Sequence, residues 1–193
     1  MAQQWNLAIF ASGGGSNARA LIEYFAGHPS IHIRLIISSH PSAGVFQIAA
    51  EHAIPAVYLD NKKFAKIAEV MEVLNKFQVN FLVLAGFLKK VPEALLDEFP
   101  DKIINIHPSL LPAYGGKGMY GHFVHEAVHH NREKSSGMTI HLVNAHYDEG
   151  RILFQAAIPL SPEMTPADIA REVLVLEHRH YAAVLEDYLE SIG

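Results

Sequence analysis

The chain contains no cysteine, which excludes disulfides, thiolate metal sites and cysteine nucleophiles together. Any catalysis must therefore come from oxygen and nitrogen groups. Positive charge is also scarce: fifteen Lys plus Arg face twenty Asp plus Glu, a formal charge of −5, and no dense basic run is present to neutralise a phosphate backbone. Nucleic acid is not an expected partner. The longest apolar run, residues 81–88, falls far short of the roughly 20 residues of a membrane span, and the N-terminus lacks a basic-then-apolar signal pattern. The expected address is the cytoplasm, and the expected partners are small molecules.

What is present fits one globular domain over residues 1–193, with 50% hydrophobic and 18% charged residues and no internal repeat, low-complexity tract or linker. The first half alternates short β-branched runs with helical patterns, the signature of parallel βαβ units in an α/β fold. Strands are expected at residues 7–11, 32–38, 56–58, 81–84 and 103–106, and helices at 17–26, 44–52, 61–77 and 92–98. In the third helix Phe64, Ile67, Ala68, Met71, Leu74 and Asn75 approximate one face. After Pro112 a glycine-rich loop at 114–121 precedes a helix at 122–131. Two further runs, 138–143 and 152–158, flank an Asp148-Glu149-Gly150 turn and read as a hairpin, so a mostly parallel sheet with an antiparallel C-terminal hairpin is expected. A last helix starts after Thr165, with Thr165 as cap, Pro166 first and Asp168 in the first turn.

Two segments carry chemistry. After the first strand, Ser12-Gly13-Gly14-Gly15-Ser16-Asn17-Ala18 opens a helix. Such a loop lets the backbone approach an anion, and the helix end supplies free N–H groups and a positive dipole. Gly13-x-Gly15-x-x-Ala18 also matches a loose dinucleotide fingerprint, but Ser38-Ser39-His40 stands where that site wants an acid for the ribose. A phosphate monoester therefore fits better than NAD, and a tight turn capped by Ser16 or Asn17 is the structural alternative. Asn105 and His107 end the fifth strand, where a parallel sheet presents its ligand edge, and residues two apart on a strand point the same way. An amide donor beside an imidazole suits a carbonyl that gains negative charge during acyl transfer. Taken alone, the pair also suits a buried Asn and His satisfying loop backbone groups.

The set Gly14-Gly15-Ser16-Asn17, Leu84-Ala85-Gly86-Phe87, Asn105-Ile106-His107-Pro108-Ser109-Leu110-Leu111-Pro112, His141, Tyr147-Asp148-Glu149-Gly150 and Glu177-His178 resembles, in order and spacing, the phosphoribosylglycinamide formyltransferases, a folate-dependent formyltransferase family. The resemblance implies a Rossmann-like three-layer fold and transfer of a formyl group from 10-formyltetrahydrofolate to the amine of glycinamide ribonucleotide in purine biosynthesis. It implies direct amine attack through a tetrahedral intermediate, with no metal. Asn105, His107 and Asp148 take the catalytic positions: Asn105 and protonated His107 donate to the oxyanion, while Asp148 favours the charged imidazole and passes protons. The substrate phosphate and ribose fall to Gly14, Gly15, Ser16, Asn17, Gly86 and Glu177. The folate falls to Leu88, Lys89, Lys90 and Val91 and to Val143, Asn144, Ala145 and His146, with Asn105 and Asp148 at its reactive end. Residues 1–100 are then the phosphate-binding half, and 101–193 the folate-binding and catalytic half. The resemblance also suggests a cis Leu111–Pro112 bond, and the chain is expected to act as a monomer or homodimer.

Lys89 stands where some family members have arginine, and Leu174 where some carry an amide. Formyltetrahydrofolate hydrolase and methionyl-tRNA formyltransferase use related chemistry but carry accessory domains for which 193 residues leave no room. A non-catalytic nucleotide-binding module is the alternative of another class. Thirteen histidines raise a metal hypothesis, chiefly His122, His125 and His129 on one helix, yet no further ligand is tied to them and no metal is expected. His125 is placed either near the folate or on the helix surface.

Overall fold

The computed structural model describes residues 3–193. Its strands are β1 (Trp5–Phe10), β2 (Ile31–Ser38), β3 (Ala56–Tyr58), β4 (Phe81–Leu84), β5 (Ile103–His107), β6 (Ser135–Leu142) and β7 (Ile152–Pro159). Its helices are α1 (Ser16–Tyr24), α2 (Val45–Glu51), α3 (Asn61–Phe64), α4 (Ile67–Lys76), α5 (Glu93–Glu98), α6 (His122–His130) and α7 (Pro166–Ile192). The strands form one sheet in the order β3-β2-β1-β4-β5-β6-β7. β1 to β5 are parallel, and β6 pairs antiparallel with both β5 and β7.

The near-continuous apolar runs of the parallel strands follow from burial on both faces. In β1, Leu7 and Ile9 enter a core shared with α1, α2, α6 and α7, whereas Ala8 and Phe10 enter one shared with α3, α4 and α5. This makes the three layers. α7 is fixed at its start by a reciprocal cap: Thr165 Oγ1 accepts from the Asp168 N–H, and the Asp168 carboxylate accepts from the Thr165 N–H. Farther along, the buried Tyr181 hydroxyl donates to the carbonyl oxygen of Leu84 at 2.8 Å, which seats the helix on β4.

The helix expected at 61–77 is two helices. Phe64 turns inward against the rings of Phe10 and Phe87, with centroids 6.2 and 5.3 Å apart. The chain then breaks at an extended Lys66, and Val70 and Leu74 reach the same core. Ala68 and Asn75, expected on the buried face, are exposed, and Val70 takes their place. Tertiary packing overrides a helical pattern that has no breaker residue in it. The Leu111–Pro112 bond is cis. Among the described residues, no helix is long and apolar enough to cross a membrane.

Candidate active site

The strand order reverses at β1, whose neighbours β2 and β4 lead to opposite sides, and open α/β sheets bind ligands in the crevice at such a point. Here the loops after β1, β4 and β5 meet the β6–β7 connection and the N-terminal part of α6 around a cleft of about 760 Å³. Backbone contacts tie the loops together: the Ser12 N–H donates to the Gly86 carbonyl at 3.0 Å, and the Ser12 hydroxyl accepts from the Leu88 N–H at 3.1 Å.

Asn105, His107 and Asp148 converge on this cleft. His107 is almost wholly buried, and its Nε2 lies 2.8 Å from the Tyr114 carbonyl. A carbonyl can only accept, so the proton sits on Nε2 and Nδ1 faces Asp148 Oδ1 at 3.6 Å, just beyond hydrogen-bond length. Asp148 has a left-handed backbone, φ 58°, and its Oδ2 accepts from the Gly116 N–H at 2.8 Å. That leaves Oδ1 turned to the histidines.

Asn105 is oriented by His141, which pairs opposite it on β6. His141 Nδ1 lies 2.8 Å from the Leu142 carbonyl and must donate to it, so Nε2 is an acceptor for the Asn105 amide at 3.1 Å. Burial pushes the His141 pKa down, partly opposed by the Leu142 carbonyl and the Asp148 charge, and so favours the neutral ring. Asn105 consequently keeps a second amide hydrogen to spare in the cleft it lines with His107 and Asp148. Gly150 makes this possible. A Cβ there would lie 1.7 Å from the Leu142 oxygen, so only glycine lets the Asp148 turn close over β6.

Asn17 and Glu177 also line the cleft and meet there, Nδ2 donating to Oε2 at 2.6 Å in a buried contact. Loss of hydration raises the Glu177 pKa, and the Asn17 hydrogen bond opposes this. Asn17 Oδ1 is buried and has no protein partner. The N-cap of α1 is Gly15, and no side chain caps the helix, so a turn capped by Ser16 or Asn17 does not hold. Gly15 itself is required by packing, since at φ 81° a Cβ would lie 2.8 Å from Val45 Cγ2.

Of the remaining expected site residues, Gly86, Leu88, Lys89, Lys90, Val91, Val143 and His146 line the cleft. Gly14 and Ser16 instead line a neighbouring hollow of about 430 Å³ with Arg19, Gln47 and His178, while Gly15, Asn144 and Ala145 line neither. His122 and His125 border the cleft, but His129 does not, and among the described residues no group of three or more potential metal ligands converges. His125 is buried, its Nδ1 has no partner, and burial, followed by the His107 charge, lowers its pKa to about 4. Its neighbours Val124 and Val128 are the sequence signal that this helix face turns inward. The orienting roles of Ser12, Tyr114 and Leu142 act through backbone groups or a small hydroxyl and leave no comparable signal.

A model of the formyl transferase family matches residues 5–185. The chain is 41% identical over 185 residues to a chloroplastic phosphoribosylglycinamide formyltransferase of Arabidopsis thaliana, covering 93% of this chain and 63% of that protein. It thus spans somewhat under two thirds of that plant relative. A phosphoribosylglycinamide formyltransferase of Bacillus subtilis is 32% identical, with 94% of this chain and 93% of the relative covered. The crystal structure of the phosphoribosylglycinamide formyltransferase from Anaplasma phagocytophilum superposes with a TM-score of 0.89 at 32% identity, covering 98% of this chain and 89% of the other. On that family match over most of the chain and that well-covered bacterial relative, the chain belongs to the formyl transferase family.

Proposed function

We propose that this protein transfers the formyl group of 10-formyltetrahydrofolate to the amine of glycinamide ribonucleotide. The observation that carries the reading is the convergence of an oriented amide, an imidazole with its Nδ1 free and an anchored carboxylate on one cleft. Its volume is within the usual range for small-molecule sites, and its largely apolar lining, with residues 88–91, Val143 and His146 along it, suits a flat pterin. When bound, the folate supplies the formyl carbon on its N10. Asn105 Nδ2–H and a protonated His107 Nδ1–H donate to the formyl oxygen as the amine nitrogen bonds to the carbon and charge develops there. Asp148 takes the proton that the amine must lose and returns it toward N10 as the carbon–N10 bond breaks, so no proton is gained or lost overall.

To Asn17 and Glu177, which line the same cleft and hydrogen-bond to each other, this reading assigns the ribose and glycinamide. The uncapped start of α1 at Gly14, Gly15 and Ser16 suits the phosphate. In this reading residues 1–100 chiefly hold the ribonucleotide and 101–193 the folate and the chemistry, although 88–91 and Glu177 cross that division. Small molecules are the only partners needed, and a cytoplasmic monomer or homodimer suffices.

The test mixes protein, glycinamide ribonucleotide and 10-formyl folate and follows deformylated folate by absorbance. Release that requires the amine supports the reading, whereas release without it points to the hydrolase. His107→Ala and Asp148→Asn are each expected to lower kcat by ~10²–10⁴-fold, the usual worth of a positioned acid or base. Full activity in either variant would reject the mechanism.

A further inference from the structure

Residues 114–116 hold both halves of the proton-transfer pair. The Tyr114 carbonyl accepts from His107 Nε2, and two residues later the Gly116 N–H donates to Asp148 Oδ2, each at 2.8 Å. The spacing between His107 and Asp148 is therefore set by one short stretch of backbone rather than by a direct bond. That stretch is unusual: Tyr114 is a non-glycine residue at φ 57°, and Gly116 follows at φ 94°. A left-handed tyrosine is strained and persists only when its surroundings hold it.

The hold is visible in the phenol. Tyr114 Oη donates to Glu133 Oε1 at 2.6 Å and accepts from Asn131 Nδ2 at 2.8 Å, both in the connection between α6 and β6. The ring also packs against the core. Between the two contact points, Gly115 lies so close to the site that a Cβ would stand 2.6 Å from Leu111 Cδ2 and 3.2 Å from Asp148 Cβ. The stretch cannot slide inward, and the phenol stops it from swinging outward.

We propose that Tyr114 is a positioning residue whose phenol, clamped by Glu133 and Asn131, fixes the 114–116 backbone that holds His107 in its Nε2–H form and Asp148 at its working distance. Tyr114 does not line the cleft. It acts through a carbonyl at one end and a hydroxyl at the other, so its contribution appears in turnover and not in binding.

The kinetic arm rests on the formyl-transfer reading; the spectroscopic arm does not. Tyr114→Phe removes only the hydroxyl. A displacement of about half an ångström at His107 should lower kcat by about tenfold and leave KM for both substrates unchanged. Glu133→Ala should act in the same direction, and Glu133→Gln, which keeps an oxygen acceptor, should recover most of the loss. A fall in kcat matched by an equal rise in KM, or a kcat equal to that of the parent protein, overturns the proposal. Nitrogen NMR of the histidine rings reads the clamp directly, using His107→Gln to assign the signal. In the parent protein at neutral pH the His107 ring should show a protonated Nε2, and in Tyr114→Phe it should move toward a mixture of the two ring forms. Unchanged ring shifts overturn the proposal even if formyl transfer itself is never observed. A Tyr114→Phe protein that no longer melts cooperatively also overturns it, since the hydroxyl would then be holding the fold and not the site.

Discussion

Replacing Gly150 by alanine tests how the turn bearing Asp148 controls the catalytic face. The added Cβ would lie 1.7 Å from the Leu142 oxygen, whereas ordinary contact begins at 3.4 Å, so the backbones must part by about the difference between those distances. Nothing flexible can yield, because the obstacle is a main-chain carbonyl in β6. That same carbonyl accepts from His141 Nδ1 and thereby fixes which nitrogen of His141 faces Asn105. Displacement would free the His141 ring and the Asn105 amide and would move Asp148 from His107. A misplacement of roughly 1 Å in a catalytic group costs on the order of 10²-fold, and kcat should fall by about that factor. Overpacking of this kind costs about 1–3 kcal/mol. For a chain of this length each kcal/mol lowers the melting temperature by roughly 2–4 °C. Steady-state formyl transfer and a thermal melt followed by circular dichroism measure the two effects. A Gly150→Ala protein with the parent kcat and melting temperature would refute the close-approach argument.

Further outcomes follow from other parts of the structure. Asn17→Ala leaves the Glu177 carboxyl buried without its partner; KM for the ribonucleotide should rise while that for folate holds, and equal changes in both would reject the assignment of this pair. His125 titrates at about 4 when folded against 6.5 when free, so between these values the unfolded chain binds the extra proton and stability rises with pH. His125→Leu should flatten that part of a stability profile measured by denaturant melts from pH 4 to 7, by an amount on the order of 3 kcal/mol in all; an unchanged slope would show that the buried ring does not titrate this way. Thr165→Ala removes the reciprocal cap of α7 and should cost about 1 kcal/mol of stability with no change in kcat.

Much of the fold is legible because the sheet is buried on both faces. Apolar runs such as Phe81-Leu82-Val83-Leu84 leave few alternatives to a central strand, and Thr165-Pro166 with Asp168 announces its helix by local capping chemistry. Residues 61–77 misread because periodicity reports only that one face is apolar. Whether the chain stays helical while burying it depended on Phe64 finding the rings of Phe10 and Phe87, one of them 54 positions away in sequence and neither on the same helix. β6 starts at Ser135, three residues before the expected 138, for a similar reason, since Ser135-Ser136-Gly137 has little strand character of its own. Pairing with Pro159, Ile158 and Ala157 of β7 supplies it, and Gly137 is needed because a Cβ would lie 2.0 Å from the Ala156 oxygen.

The site divides along the same line. The side chains we propose to act, Asn105, His107, Asp148, Asn17 and Glu177, are visible as residue types at a spacing, and all of them border the cleft. The groups that set their protonation and direction are main-chain atoms: the carbonyls of Tyr114 and Leu142 and the N–H of Gly116. Any residue carries those atoms, so composition cannot mark them. What marks them is indirect. Each acts beside a glycine whose Cβ would collide with the site, Gly115 against Leu111 and Asp148, and Gly150 against Leu142. From sequence these glycines read only as a loop and a turn, because glycine permits both motion and close approach. The collisions decide between the two: a glycine kept for motion would have open space around its missing side chain, and these two have none.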